Sequence, residues 1–190
     1  MLSLEDIERL FAERGGEQYS GEPVTQLQHA LQTAALGEAA GASDALVTAA
    51  LLHDLGHLLH DLGETPSMRG VDDVHQYRAL PFLRGLFDNE VLDPIKLHVD
   101  AKRYLCATRP GYHDSLSADS KRSLLLQGGT FSDSEVANFI AQPGAEAAVS
   151  LRLWDDLAKN AQKVTAPLKH FMEAALRSAK SGRAGVASST

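Results

Sequence analysis

The sequence predicts an all-α protein that folds as a compact helical bundle. Alanine and leucine are prominent in a hydrophobic fraction of 44%, and both residues favour helix over strand. Apolar residues recur at helical spacing, as Leu4, Ile7 and Leu10 do, and no long stretch alternates as a strand does. The length of 190 residues suits one domain, which we place at residues 1–180.

Capping residues and glycines delimit the helices of the first half of the chain. Ser3 and Ser43 are expected to cap helices, and Gly15-Gly16 ends the first of these. Pro23 is placed to open the second helix after a loop. The expected segments are an N-terminal helix within residues 1–16, a loop at 17–23, and helices at 24–40, 44–61 and about 72–87.

The second half of the chain continues the helical pattern. Ser132 and Glu135 have the spacing of a capping box, and Arg109-Pro110-Gly111 predicts a turn. The expected helices cover about 90–105, 117–126, 133–141, 147–160 and 167–180. The small and polar residues at 181–190 are expected to form a disordered tail.

Composition excludes several classes of protein. The formal net charge of −7 argues against general nucleic-acid binding, because a surface that follows phosphates is normally basic. Cys106 is the single cysteine, so no disulfide framework is expected. The acidic start lacks a signal-peptide core, and no apolar run reaches the ~18 residues that cross a bilayer. We therefore expect a cytoplasmic protein with no nucleic-acid or membrane partner.

An adjacent histidine and aspartate stand in the most apolar of the predicted helices. His53-Asp54 follows the apolar residues 49–52, where an imidazole and a carboxylate have no structural use. Two ligands side by side can bind two metal ions, with the aspartate bridging them. Four further candidate ligands lie on other predicted helices: His29, His75, His98 and Asp155.

Four histidines and two aspartates make a mixed nitrogen–oxygen ligand set. Such a set suits iron, manganese, zinc or magnesium, and the absence of thiolate argues against a structural zinc site. Helical bundles build metal sites from side chains that project inward off facing helices. His75 or His98 alone is better explained as a core or surface residue, whereas the complete set of six is not.

The order of His29, the His53-Asp54 pair and Asp155 resembles the HD-domain superfamily over about residues 17–175. Most members of that superfamily are metal-dependent phosphohydrolases. The two remaining histidines of the set match the second metal site of its dinuclear branches. The superfamily alone therefore leaves a phosphohydrolase and an oxygenase open.

The loop that carries Tyr19 and Glu22 distinguishes these possibilities. Residues 18–22 resemble the lid of PhnZ-type mixed-valent diiron oxygenases, which cleave the carbon–phosphorus bond of 1-hydroxyphosphonates. The resemblance implies that Tyr19 occupies an iron position until substrate displaces it. It also implies that Glu22 partners Tyr19 near the substrate amine. The structural alternative is an ordinary polar loop with Tyr19 packed on the bundle.

The same resemblance implies a set of phosphonate contacts. Lys102 lies four residues after His98 and shares its helix face, where an ammonium can meet an anion beside a metal. Arg152, three residues before Asp155, is suited to clamp an anion, and a salt bridge to Asp155 is the structural alternative. Two residues match the remaining phosphonate contacts of the family: His57 and Ser120.

The resemblance further implies two iron ions, Fe(II) and Fe(III), with dioxygen as co-substrate. Hydrolysis needs a good leaving group, which a carbon–phosphorus bond lacks, and oxidation at the adjacent carbon removes that obstacle. Tyr19, Glu22 and Asp54 are the residues expected to serve catalysis. The products would be phosphate with glycine betaine from 1-hydroxy-2-(trimethylamino)ethylphosphonate, or with glycine from 2-amino-1-hydroxyethylphosphonate. An upstream hydroxylase would supply the substrate.

The choice between these two substrates depends on residues 70–80, which resemble the trimethylamino-acting TmpB type, so the trimethylamino substrate is favoured. Glu22 suits either cation, and only an aromatic wall would select the trimethyl group. One alternative function is an HD-type metal-dependent phosphohydrolase acting on a nucleotide or a small phosphate ester. Another is a non-catalytic HD module, which would lack part of the ligand set.

Overall fold

Helices account for the regular structure of residues 2–19, 21–59 and 66–180, which are the ranges that the computed structural model describes. The all-α prediction is confirmed, since the only β-pairing in these ranges consists of two isolated bridges. Ser20 of the lid motif and the expected tail at 181–190 lie outside the described residues.

The described residues form eleven α-helices and two short 3-10 helices. The α-helices are α1 (Leu4–Arg14), α2 (Gln26–Ala39), α3 (Asp44–Leu52), α4 (His75–Arg78), α5 (Leu80–Leu83), α6 (Asn89–Thr108), α7 (Tyr112–Ser115), α8 (Ala118–Leu126), α9 (Asp133–Ile140), α10 (Ala145–Leu157) and α11 (Leu168–Ser178). The 3-10 helices cover Leu55–Leu59 and Pro66–Arg69. No helix in the described ranges is long and apolar enough to cross a membrane.

Capping residues set most helix starts where the sequence predicts them. The serine caps of α1, α3 and α9 are confirmed: Ser3, Ser43 and Ser132. The prediction that α2 begins at residue 24 is wrong. Thr25 caps α2 through a capping box, in which its hydroxyl accepts from the Gln28 amide and the Gln28 side chain accepts from the Thr25 amide. The capping box satisfies two backbone N–H groups, and this determines the start of α2 more strongly than the φ angle that Pro23 fixes.

The predicted helix over residues 44–61 is wrong after Leu52, as far as residue 59, where the described segment ends. α3 ends at Leu52, His53 is its C-cap, and a 3-10 helix follows. Gly56 lies on that 3-10 helix, where an added Cβ would be 2.1 Å from the carbonyl oxygen of His75. Glycine is therefore required for this turn to approach the segment that carries His75. The turn is as apolar as a buried helix, so hydrophobic periodicity does not distinguish the two.

The predicted helix over residues 72–87 is also divided. Two one-turn helices, α4 and α5, replace it, and Val74 before α4 has a φ angle of +46°. This left-handed conformation is rare for a β-branched residue and costs on the order of 1–3 kcal/mol. The strained backbone stands immediately before His75, so the fold places local strain beside a candidate ligand.

Four helices form the core that positions the candidate ligands. α3 packs against α2, α6 and α11, while α10 packs against α6 and α2. The main apolar cluster includes Leu51 of α3, Ile95 of α6 and Leu151 of α10, all of which are buried. α1 and α11 contact each other on one side of this core. The polar candidate ligands consequently project into a space that apolar side chains surround.

Candidate metal centre and substrate pocket

The six predicted metal ligands converge inside the core. Each is buried, with at most 8% of its surface exposed: His29, His53, Asp54, His75, His98 and Asp155. They form two triads, His29–His53–Asp155 and Asp54–His75–His98, and within each triad the ligand atoms lie within 4.8 Å of one another. The structure therefore brings together residues from α2, the end of α3, α4, α6 and α10.

Asp54 faces both triads, each with a different oxygen. Its Oδ2 lies 3.2 Å from Nε2 of His53 and 3.5 Å from Nε2 of His29. Its Oδ1 lies 3.2 Å from Nε2 of His75 and 3.5 Å from Nε2 of His98. Two ligand atoms that each lie about 2.1 Å from one ion are roughly 3–3.5 Å apart, which these distances match. Asp54 is thus placed to bridge two ions.

The second ring nitrogen of every histidine ligand is held by an acceptor. The pairs are His29 Nδ1 with Ala158 O at 2.9 Å, His53 Nδ1 with Ala50 O at 2.9 Å, His98 Nδ1 with Ile95 O at 2.7 Å and His75 Nδ1 with Asp73 Oδ1 at 2.8 Å. Each contact assigns the proton to Nδ1 and leaves the Nε2 lone pair for a metal. This arrangement is typical of metal-binding histidines.

Two buried carboxylate oxygens of the centre lack a hydrogen-bond donor among the residues that the structure describes. Asp54 Oδ2 and Asp155 Oδ1 have no hydrogen-bond partner within the described residues. A buried carboxylate oxygen without a donor raises the free energy of the folded state. Bound cations would give each of these two oxygens a partner. Burial also lowers the pKa of His98 to about 4, which keeps its imidazole neutral as a ligand must be. The donor set therefore fits two metal ions.

Tyr19 reaches from the lid loop into this centre. Its ring stacks on the imidazole of His29, with 3.9 Å between the ring centroids. Burial and the nearby charges of Asp54 and Asp155 hold the pKa of Tyr19 well above its usual value. The Tyr19 side chain therefore packs on a candidate metal ligand, close to the charges of Asp54 and Asp155.

Glu22, the second lid residue, does not line the central cavity. Its Oε1 pairs with Nζ of Lys159 at 3.1 Å, and both side chains are only 14% exposed. Gly21 has a φ angle of +73°, and the Glu22 amide donates to the Tyr19 carbonyl at 2.7 Å, so the loop turns tightly here. Lys159 belongs to no motif in the sequence, and only the three-dimensional structure reveals its contact.

A cavity of about 60 Å³ adjoins the two triads, and four predicted substrate contacts line it: His57, Lys102, Ser120 and Arg152. Lys102 and Arg152 are buried, at 2% and 5% exposure. Burial and the neighbouring Arg152 charge lower the pKa of Lys102 to about 7, and its Nζ donates to Ser123 at 2.8 Å. Two buried cations side by side favour an anionic ligand.

Arg152 also makes the salt bridge that the sequence left as its structural alternative. Its Nη1 lies 2.8 Å from Asp155 Oδ2, and its guanidinium also pairs with Asp156. The bridge orients the Asp155 carboxylate and leaves Oδ1 directed at the histidine triad, 3.4 Å from His29 Nε2. Arg152 thus connects the cavity to a candidate metal ligand.

Asp73 is a site residue that the sequence reasoning missed. Its Oδ2 contacts His57 Nδ1 at 2.7 Å, and its Oδ1 contacts His75 Nδ1 at 2.8 Å. Burial alone would lower the pKa of His57, but its hydrogen bond to Asp73 and the charges of Asp54 and Asp73 raise it to about 9. Asp73 therefore connects His75, a candidate metal ligand, with His57, which lines the cavity. An aspartate two residues before a candidate ligand was the available signal.

Comparison with known proteins identifies relatives over most of the chain. The chain is 38% identical over 168 residues to the 1-hydroxy-2-(trimethylamino)ethylphosphonate dioxygenase (glycine-betaine-forming) of Leisingera caerulea, which covers 88% of this chain and 86% of that protein. It is 44% identical over 145 residues to the hydroxymethylphosphonate dioxygenase of Gimesia maris, which covers 76% and 72%. An uncharacterised protein of Acanthamoeba polyphaga mimivirus is 36% identical over 168 residues, covering 87% and 76%. No family model matches the chain.

The named relatives are both dioxygenases of hydroxyphosphonates, and the alignments extend over more than two thirds of each of them. The all-α fold and the paired triads around Asp54 agree with the HD-type architecture that the sequence predicts. The resemblance to an oxygenase branch, rather than to a phosphohydrolase, is confirmed. This chain belongs to the family of HD-type phosphonate dioxygenases.

Proposed function

We propose that this protein cleaves the carbon–phosphorus bond of a 1-hydroxyphosphonate in a dioxygen-dependent reaction at two iron ions. The observation that carries the proposal is Asp54, whose two oxygens face separate triads beside a cavity with two buried cations. The names of two relatives support the reaction class. The products would be phosphate and a carboxylate.

Six residues would hold the ions. His29, His53 and Asp155 would bind one, and His75 and His98 would bind the other, while Asp54 would bind both. When bound, two iron ions of different oxidation state would supply the dioxygen chemistry that a redox-inactive ion lacks. The protein contributes orientation, because carbonyl oxygens and Asp73 fix the imidazoles.

The cations of the cavity would orient the substrate. Lys102 and Arg152 would hold the phosphonate oxygens, and His57, whose pKa is about 9, would add a third positive charge at neutral pH. Ser120 would contribute a hydroxyl from α8. Because these groups share a cavity with Asp54, a phosphonate held by them would have room to place its C1 hydroxyl toward the Asp54 carboxylate.

Tyr19 would act as a gate. The cavity of about 60 Å³ is less than half of the ~150 Å³ cavity that holds benzene, so a 1-hydroxyphosphonate with a trimethylammonium group needs more room. Removal of Tyr19 from its stack on His29 would enlarge the cavity that Tyr19 lines and uncover the His29 side of the centre. Return of the lid would exclude water. The Glu22–Lys159 ion pair would fix the lid turn.

The substrate that we favour is 1-hydroxy-2-(trimethylamino)ethylphosphonate, which would give glycine betaine. The second choice is 2-amino-1-hydroxyethylphosphonate, which would give glycine. The first is the substrate named for the Leisingera caerulea relative. Hydroxylation of the parent phosphonate at C1 yields a 1-hydroxyphosphonate, and we also propose that a hydroxylase supplies the substrate in this way.

Phosphate release with and without dioxygen tests the proposal. Iron-loaded, reduced protein should release phosphate from a hydroxyphosphonate only when dioxygen is admitted, and should consume dioxygen in equal amount. The matched control is manganese-loaded protein with a small phosphate ester, which a phosphohydrolase would cleave. Phosphate release that continues under strict anaerobiosis would contradict the proposal and favour hydrolysis.

A further inference from the structure

The candidate substrate cavity has a deeply buried cationic end and a more exposed end. Lys102 and Arg152 are only 2% and 5% exposed. Among the other residues that line the cavity, Val71 is 38% exposed and Asp72 is partly exposed. Val71 is the most exposed residue of the described cavity lining, so a substrate with its phosphonate against the buried cations can extend its other end toward Val71 and Asp72.

Five aspartates line the cavity, and in the metal-loaded protein four of them would have partners for their charge. Two face the metal triads, and Asp73 is held between two imidazoles at 2.7 and 2.8 Å. Asp119 accepts hydrogen bonds from the Ser67 hydroxyl at 2.5 Å and from the Arg122 guanidinium at 2.9 Å. None of these four has a charge left to attract a cationic ligand.

Asp72 is the fifth aspartate and differs from the others. Its Oδ1 accepts one hydrogen bond, from the backbone amide of Val74 at 3.3 Å. Within residues 2–19, 21–59 and 66–180, no cationic side chain pairs with it. Asp72 therefore presents an uncompensated negative charge at the more exposed end of the cavity.

Glu22, unlike Asp72, already has a cationic partner. Its carboxylate pairs with Lys159 at 3.1 Å and lies outside the cavity lining. To receive a substrate ammonium, Glu22 would have to leave Lys159, exchanging one ion pair for another. Such an exchange yields little net free energy, because a ligand gains only the difference between the two states.

We propose that Asp72, and not Glu22, receives the cationic end of the substrate and determines specificity for it. This inference rests on the proposed function of the same site. It predicts that hydroxyphosphonates with a primary or quaternary ammonium bind in preference to hydroxymethylphosphonate, which has no cationic end. Glu22 with Lys159 then serves to fix the lid turn that carries Tyr19.

Three variants of the iron-loaded protein test this assignment: Asp72→Asn, Asp72→Glu and Glu22→Gln. Asparagine retains the acceptor for the Val74 amide, so Asp72→Asn removes charge with little change in shape. KM and kcat are measured with the trimethylamino, the 2-amino and the hydroxymethyl substrate. For Asp72→Asn we expect KM for the cationic substrates to rise about fivefold relative to KM for hydroxymethylphosphonate, as for a partly exposed ion pair.

The two other variants separate charge from position. Asp72→Glu keeps the carboxylate and should keep the preference for cationic substrates. Glu22→Gln should change KM for all three substrates alike, because its effect would act through the lid. An unchanged preference in Asp72→Asn, or a preference lost in Glu22→Gln, would overturn the assignment, as would a wild type that prefers hydroxymethylphosphonate. Absence of dioxygen-dependent phosphate release from every substrate would instead refute the proposed function, and this inference with it.

Discussion

The metal half and the substrate half of the candidate site differ in how much of each stands on loops and turns. Four of the six metal ligands lie on, or cap, the long helices α2, α3, α6 and α10, and three of those imidazoles bond backbone carbonyls. The substrate half combines Lys102 and Arg152, which lie on α6 and α10, with residues in loops or on a 3-10 turn: Tyr19, His57, Asp72 and Asp73. The packed core holds the metal half in one geometry, whereas loops can move with the substrate. The core helices would thus fix the metal ions and the phosphonate, and the loops would select the rest of the substrate.

The largest effect is expected in the metal half. Asp54→Ala removes the one ligand that faces both triads, so we expect loss of both ions and of all activity. His53→Ala removes a ligand of only one triad and should abolish activity with a smaller loss of metal. Metal analysis of the purified proteins measures both. Normal metal content and turnover in Asp54→Ala would refute the bridging role.

Asp73→Asn tests the link between the two halves. It removes the carboxylate that holds both His57 and His75, so we expect kcat/KM to fall by about 10–100-fold, with weaker metal binding. Asp119→Asn is the control, since Asp119 lines the same cavity without contacting a candidate metal ligand. Equal metal affinity in Asp73→Asn and wild type would show that the two halves are independent.

Lys102→Met tests the buried cation of the substrate half. With its pKa lowered to about 7, Lys102 is an ammonium below that pH and becomes neutral above it. We therefore expect Lys102→Met to raise KM about tenfold at pH 6. The difference from wild type should shrink as the pH rises beyond 7. Lys96→Met, on the exposed side of the same helix, is the control. A difference that is constant with pH would show that charge is not what Lys102 contributes.

The smallest effect on turnover is expected from the lid. Tyr19→Phe keeps the ring stacked on His29 and removes only the hydroxyl, whose pKa is raised by burial and by the charges of Asp54 and Asp155. Iron content should be unchanged, while the absorption and paramagnetic resonance spectra of the resting protein should change. Identical spectra in the variant and the wild type would exclude Tyr19 from the metal centre.

The sequence predicts the metal half better than the substrate half, for physical reasons. Ligands in apolar helices are conspicuous, because a buried imidazole or carboxylate needs a partner. The break after Leu52 is not predictable, since the 3-10 turn is as apolar as the helix before it. The left-handed Val74 and the contact between Glu22 and Lys159 depend on tertiary packing, which joins residues far apart in the chain. Loop contacts of this kind leave no periodic signal.

Iron stoichiometry tests the central claim most directly. The purified chain is loaded with ferrous iron without dioxygen, partly oxidised, and examined by metal analysis and electron paramagnetic resonance before and after a hydroxyphosphonate is added. Two irons per chain and a mixed-valent signal that changes with the ligand are expected from paired triads sharing Asp54. A single iron per chain under these conditions, with no coupled signal, would contradict the account.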